Sequence, residues 1–170
     1  MSYQREAEMY PAVKQWLHYH LQACYPHRSV MTAICHAQRL NSLIRRLGIG
    51  NLLPADWQSW DVQVDIVGFA CSRQNVAIAL IECKNKAISL SHLSQIIGYC
   101  RVVKPQIGMI LSPEGVSEGL RQLLITFGRQ DVLIYSERQQ HAPQRIILAR
   151  WNAQTNSPEP SSAIPSGSLG

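Results

Sequence analysis

The sequence lacks the features that mark disulfide-rich, zinc-binding or membrane-spanning proteins. Its five cysteines are odd in number and contain no CxxC pair, which argues against a disulfide framework or a zinc ribbon. No apolar run approaches the roughly 20 residues that a bilayer-spanning helix needs. The N-terminus, MSYQREAEMY, is polar and charged, so we expect no signal peptide and no membrane partner. Free thiols suit a reducing compartment, and we predict a cytoplasmic protein.

Acidic residues are also scarce. The 170 residues include 11 acidic and 16 basic side chains, which gives a formal net charge of +5. Such an excess is compatible with a polyanionic partner such as DNA. The hydrophobic fraction of 46% is enough for one domain with a buried core. The sequence has neither a phosphate-binding glycine loop nor a GxSxG motif, which excludes two large enzyme classes.

Hydrophobic periodicity predicts an α/β fold with a mixed sheet. Pro11 interrupts the first helical pattern, so that helix either begins near Tyr10 or kinks there. The turn at 71–75 predicts an antiparallel hairpin, and the alternation of helices and strands after it predicts parallel neighbours. The predicted helices are 4–24, 41–47, 89–103 and 116–129, and the predicted strands are 29–35, 60–69, 76–84, 107–111, 132–135 and 144–151.

The composition changes near residue 153. Residues 153–170 are rich in Pro, Ser, Asn and Gly, a composition typical of disordered or weakly docked tails. We therefore predict one domain over 1–152, followed by a disordered C-terminal tail. The final strand of the domain, 144–151, is expected at an edge of the sheet.

One strand of the predicted hairpin carries an acid and the other carries an acid and a base. Asp65 lies on the polar face of WDVQVDIVGF, and Glu82 and Lys84 share one face of the next strand because side chains two apart point the same way. Neighbouring strands lie about 4.8 Å apart, so the two acids can reach one divalent cation, which prefers oxygen ligands. The alternative is an ordinary ion pair between Glu82 and Lys84 where the strand meets water.

This arrangement resembles the PD-(D/E)xK nuclease superfamily. The family motif places an Asp on one strand and (Asp/Glu)-x-Lys on the next, here Asp65 and Glu82-Cys83-Lys84. Val64 stands where the family name has proline. The family's αβββαβ core matches the predicted element order from about Glu6 to Tyr135. The resemblance implies a restriction-endonuclease-like fold, with a mixed central sheet flanked by helices.

Members of this superfamily often carry a glutamate on the first helix. Glu6 and Glu8 both compete for that position. At about 100° per residue, Glu6 falls on the apolar face of the helix and Glu8 falls on the far side. We therefore favour Glu6, although either acid could simply stabilise a helix N-terminus.

The helix after the ExK strand carries a second resemblance. Gln95 and Tyr99 have the QxxxY form of the RecB-like branch and lie one turn apart on one face. The resemblance implies that Gln95 orients a ligand of the site and that Tyr99 lies near the nucleic acid. The alternative is an ordinary amphipathic helix with an exposed glutamine.

The resemblance implies a metal-dependent endonuclease or exonuclease that acts on DNA. Mg²⁺ or Mn²⁺ would bind Asp65, Glu82 and the backbone carbonyl of Cys83, and Lys84 would assist the attacking water. Phosphate contacts are expected from basic residues near the site in sequence. The alternative is a catalytically silent DNA-binding protein, or a homodimer or subunit of a repair, restriction or transposition complex. The candidate phosphate-binding residues are Lys86, Arg101 and Lys104.

Overall fold

The protein is an α/β domain whose mixed sheet is flanked by helices. The computed structural model describes residues 3–138 and 141–169. The helices are α1 Tyr10–Cys24, α2 Leu40–Leu47, α3 Leu90–Val103 and α4 Glu118–Arg121. The strands are β1 Ser29–Ile34, β2 Ile66–Cys71, β3 Val76–Cys83, β4 Ile107–Ser112, β5 Ile134–Arg138, β6 His141–Asn152 and β7 Ser157–Pro158.

Within the described residues the sheet has seven strands in the order β1-β2-β3-β4-β6-β5, with β7 paired to β6. The first three strands are antiparallel, and β4 and β6 run parallel to β3. The mixed sheet predicted from the sequence is therefore confirmed. The last predicted strand is not at an edge, because β6 lies between β4 and β5 and buries Ile146, Leu148 and Trp151.

Side chains of the central strands alternate between two apolar layers, which lie on opposite faces of the sheet. In β3, Ile78 and Leu80 belong to the layer that α2 and α3 cover, whereas Ala79 and Ile81 belong to the layer under α1. Helix α1 lies very close to β2: a Cβ atom added at Gly68 would lie 2.5 Å from a side-chain atom of Leu21. A larger residue there would force the buried side chains of Leu17 and Leu21 to move.

Helix α1 begins at Tyr10, with Pro11 in its first turn, and residues Glu6–Glu8 form a separate 3-10 turn. Proline suits this position because its missing N–H is not needed at a helix start. The first of the two possibilities left open by Pro11 is therefore the correct one. The turn and the helix start together cross the end of the sheet where β3 finishes.

Strand β2 begins at Ile66, six residues later than predicted. The preceding segment is extended, but its carbonyls at Trp60 and Val62 accept hydrogen bonds from the first residues of α2 instead of from a strand. Val62 and Val64 are buried, so the alternation that suggested a strand reflects packing against the core. Trp60 is buried in the same core.

The C-terminal segment is packed and is not the disordered tail that its composition suggested. Strand β7 pairs with β6, and Ile164 exchanges two backbone hydrogen bonds of 2.9 Å with Leu148. Ala163 and Ile164 are each 4% exposed. A few apolar residues among the prolines and serines therefore anchor residues 153–169 to the domain. Among the described residues, no helix is long and apolar enough to cross a membrane.

Candidate active site

Asp65 and Glu82 face each other at one end of the central hairpin. The register pairs Ile66 with Ile81, so Asp65, one residue before β2, lies opposite Glu82 in β3. Directly opposed residues of antiparallel strands have Cβ atoms about 5 Å apart. Asp65 is 8% exposed and Glu82 is 2% exposed. The register therefore places opposite each other the two acids that the sequence pattern paired.

The Asp65 carboxylate is held by two donors from different elements. The hydroxyl of Tyr10, at the start of α1, donates to Oδ1 at 2.7 Å. The backbone N–H of Cys83, at the end of β3, donates to Oδ2 at 2.8 Å. The Asp65 carbonyl also accepts from the N–H of Cys35 at 2.7 Å. Both the backbone and the side chain of Asp65 are thus fixed by hydrogen bonds to its neighbours.

The Glu82 carboxylate has fewer hydrogen-bond donors than that of Asp65. Its Oε2 accepts a hydrogen bond from Lys84 Nζ at 3.3 Å, whereas its Oε1 is buried and has no hydrogen-bond partner among the described residues. Burial, and then the nearby charge of Asp65, raises the pKa of Glu82 to about 8, against the opposing effect of Lys84. Two buried carboxylates that lack a shared donor favour a proton or a cation between them.

Lys84 lies between Glu82 and Glu6. Its Nζ is 3.3 Å from Glu82 Oε2 and 3.6 Å from Glu6 Oε2. Burial alone would lower the pKa of Lys84, but the charges of Glu82, Glu6 and Asp65 outweigh burial and raise the pKa. The structure therefore places Glu6 beside the site. Glu8 instead accepts a hydrogen bond from the backbone N–H of Gln4 and is exposed.

Two of the three expected metal ligands are present as side chains, and the third would be a backbone carbonyl. The described residues contain no group of three His, Cys, Asp or Glu side chains that could hold a metal ion. The pair still suits Mg²⁺, which commonly binds one or two carboxylates and keeps several waters, and Glu82 Oε1 is free to act as a ligand. The Cys83 thiol is fully buried in the layer under α1, on the face of β3 opposite Glu82, so its side chain is not placed as a ligand.

The predicted residues of α3, Gln95 and Tyr99, contact each other and not the site acids. Gln95 is exposed, and its Nε2 donates to the Tyr99 hydroxyl at 3.4 Å. Among the hydrogen bonds of the described residues, none joins Gln95 to Asp65, Glu82 or Lys84. The expected role of Gln95 as a ligand-orienting residue therefore has no contact to support it in this conformation.

His92, one turn before Gln95, is closer to the charged groups of the site. Its Nδ1 accepts a hydrogen bond from the backbone N–H of Ser89 at 3.1 Å, which leaves Nε2 as the protonated nitrogen of the neutral ring. Burial and then the charge of Lys84 lower the pKa of His92, and Glu6 opposes this change. The sequence analysis did not select His92, although its spacing of three from Gln95 places both on one helix face.

The three expected phosphate-binding residues do not lie together. Lys86 is exposed and follows Lys84 by two residues. Lys104, after the end of α3, lines a cavity with Val76 and Ile78, at the start of β3 and thus at the opposite end of the strand from Glu82. Arg101 belongs to the last turn of α3, near Lys104. Of the three, only Lys86 follows the end of β3 that carries Glu82.

Comparison of the chain with protein-family models, with curated proteins and with solved structures found no match.

Proposed function

We propose that the protein is a metal-dependent nuclease that hydrolyses phosphodiester bonds of DNA. The observation that carries the proposal is the pair of buried, opposed carboxylates, of which Glu82 leaves one oxygen unpartnered. Burying two acids side by side is costly unless a cation or a proton compensates them. A lysine two residues after the second acid completes the pattern of the resembled nuclease family and adds a cation that can stabilise charge on a phosphate.

The fold gives the proposal independent support. The order α1, β1, β2, β3, α3 and β4, with an antiparallel β1-β2-β3 meander and a parallel β3-α3-β4 crossover, is compatible with a restriction-endonuclease-like core. In that arrangement the acids lie at the end of β3, where the 3-10 turn before α1 and the start of α3 also converge. We therefore propose this fold family for the domain.

In this function Asp65 and Glu82 would hold Mg²⁺ or Mn²⁺ together with the Cys83 carbonyl. When bound, the metal supplies a Lewis acid for a phosphate oxygen and for the attacking water. Lys84 enters the site as an ammonium, because the carboxylates raise its pKa. An ammonium at this position donates hydrogen bonds to a phosphate oxygen or orients the water. Glu6 keeps Lys84 directed at the site, and exposed Lys86 contacts the nucleic-acid backbone.

A second candidate is a nuclease-like protein that binds DNA or completes a larger complex without cutting. The observation that favours it is that Lys84 already compensates Glu82 and Glu6, while both Asp65 oxygens already accept hydrogen bonds. Calorimetric titration with Mn²⁺ separates the two functions, since a silent protein has no divalent-ion site that depends on Asp65 and Glu82. Light scattering during size-exclusion chromatography would show whether the chain forms a homodimer.

The test of the nuclease is cleavage of supercoiled and branched DNA in the presence of Mg²⁺ or Mn²⁺. We expect nicking or linearisation by the wild type, and a loss of about 100-fold or more in Asp65→Ala, Glu82→Ala and Lys84→Ala. Asp131→Ala is the matched control, because Asp131 is exposed and paired with Arg129. Cleavage that persists in the three site variants, or no cleavage with either metal, would overturn the proposal.

A further inference from the structure

The buried hydroxyl of Tyr10 donates its hydrogen bond to one of the two site acids, Asp65. Tyr10 is 6% exposed, and its hydroxyl lies 2.7 Å from Asp65 Oδ1. The Tyr10 ring also contacts the ring of His36, with 5.0 Å between ring centroids. Because these two contacts restrict the Tyr10 side chain, its hydrogen bond gives the Asp65 carboxylate a fixed orientation.

Tyr10 also leaves the charge of Asp65 intact. Lysine compensates Glu82 and Glu6, whereas the donors on Asp65 are a neutral hydroxyl and a neutral amide. A carboxylate offers about four lone-pair positions, so two such hydrogen bonds fix its plane and leave positions free for a cation. Asp65 is thus oriented without being neutralised, which is what a cation ligand requires.

We propose that Tyr10 is a positioning residue that sets the Asp65 carboxylate for a divalent cation shared with Glu82. This inference rests on the proposed metal site and adds the residue that orients it. Residues 6–10, which comprise the 3-10 turn and the first residue of α1, reach both halves of the site: Glu6 contacts Lys84 and Tyr10 contacts Asp65. Partners that orient a metal ligand change metal affinity by roughly 10- to 100-fold when they are removed.

The chain offers a matched control in Tyr135. Tyr135 is also 6% exposed, and its hydroxyl donates to the carbonyl of Pro105 at 2.8 Å, away from the acids. Tyr10→Phe and Tyr135→Phe therefore each remove the hydroxyl of a tyrosine that is 6% exposed and that donates a hydrogen bond of 2.7 or 2.8 Å. A purely structural role for Tyr10 predicts the same result for both variants.

The experiment measures the Mn²⁺ dissociation constant by calorimetry and the Mn²⁺ concentration that gives half-maximal cleavage. We expect Tyr10→Phe to raise both by roughly 10- to 100-fold, and Tyr135→Phe to leave both unchanged. Para-aminophenylalanine at position 10 restores a donor and is expected to restore affinity. Para-methylphenylalanine fills the volume without a donor and serves if the Phe variant does not fold.

Three results overturn the inference, and they differ. If the wild type binds Mn²⁺ through Asp65 and Glu82 while Tyr10→Phe binds it equally well, the metal site stands and the positioning role of Tyr10 fails. If the wild type binds no Mn²⁺, the proposed function fails and the inference fails with it. Equal losses of affinity in Tyr10→Phe and Tyr135→Phe also contradict a specific role for Tyr10.

Discussion

Replacing Glu82 by Gln should make the metal-free protein more stable at pH 8 while abolishing its response to metal. Glu82 is buried, and its pKa is raised from 4.5 to about 8. The folded state therefore binds this proton more tightly than the unfolded state does. The stability that this proton contributes is fully present below about pH 4.5 and is lost as the pH rises towards 8.

The size of the effect follows from the pKa values. A difference of one pKa unit corresponds to about 1.4 kcal/mol, so ionising Glu82 in the folded protein costs on the order of 4 kcal/mol over this range. Glutamine keeps the shape and carries no charge, so Glu82→Gln should not pay this cost. His20 and His92, whose pKa values burial lowers, titrate in both proteins. The difference between the two proteins therefore isolates Glu82.

The assay is urea unfolding in EDTA at pH 5, 6, 7 and 8, followed by tryptophan fluorescence. We expect the free energy of unfolding of Glu82→Gln, relative to wild type, to increase steadily from pH 5 to pH 8. Adding Mn²⁺ at about 100 times its dissociation constant should stabilise the wild type by about 2.7 kcal/mol and leave Glu82→Gln unchanged. Glu118→Gln, at an exposed acid of α4, is the control. A difference in unfolding free energy between the two proteins that stays constant from pH 5 to pH 8 would contradict a raised pKa for Glu82.

Three further predictions concern Glu6, the contact between α1 and β2, and the C-terminal segment. Glu6→Gln should slow single-turnover cleavage about tenfold or more because Lys84 loses a partner, whereas Glu8→Gln should not; equal rates in both variants would contradict the assignment. Gly68→Ala should destabilise the protein by about 1–3 kcal/mol in urea unfolding, because the buried side chains of Leu17 and Leu21 would have to move; an unchanged midpoint would show that they move without cost. Ile164→Ala should cost about 2–5 kcal/mol, and no measurable cost would mean that the C-terminal segment contributes nothing.

The carboxylate pair was predictable because it depends on local rules. The apolar run of β3 ends at Glu82, and a hairpin of defined length brings Asp65 opposite it. Period-two alternation then fixes which side chains share a face. Glu6 was selected by helical spacing, and the structure places it beside Lys84 even though the residues around it form a 3-10 turn.

Other features depend on contacts that a single sequence does not reveal. The hydrogen bond from Tyr10 to Asp65 joins α1 to the start of β2, and nothing in the local pattern of either segment indicates it. Residues 60–65 alternate in polarity like a strand, but two of their backbone carbonyls accept hydrogen bonds from the start of α2. Lys104 is close to the site along the chain, yet α3 runs away from the acids and carries it to the other end of the sheet.

The most direct test of the account is a crystal of the protein soaked in Mn²⁺, with diffraction data collected for the anomalous signal of manganese. We predict an anomalous peak between the carboxylates of Asp65 and Glu82, within about 2.0–2.3 Å of oxygen atoms from both. The same soak of Asp65→Ala crystals should give no peak there. An empty site in the wild type at saturating Mn²⁺, or a peak elsewhere only, would contradict the account.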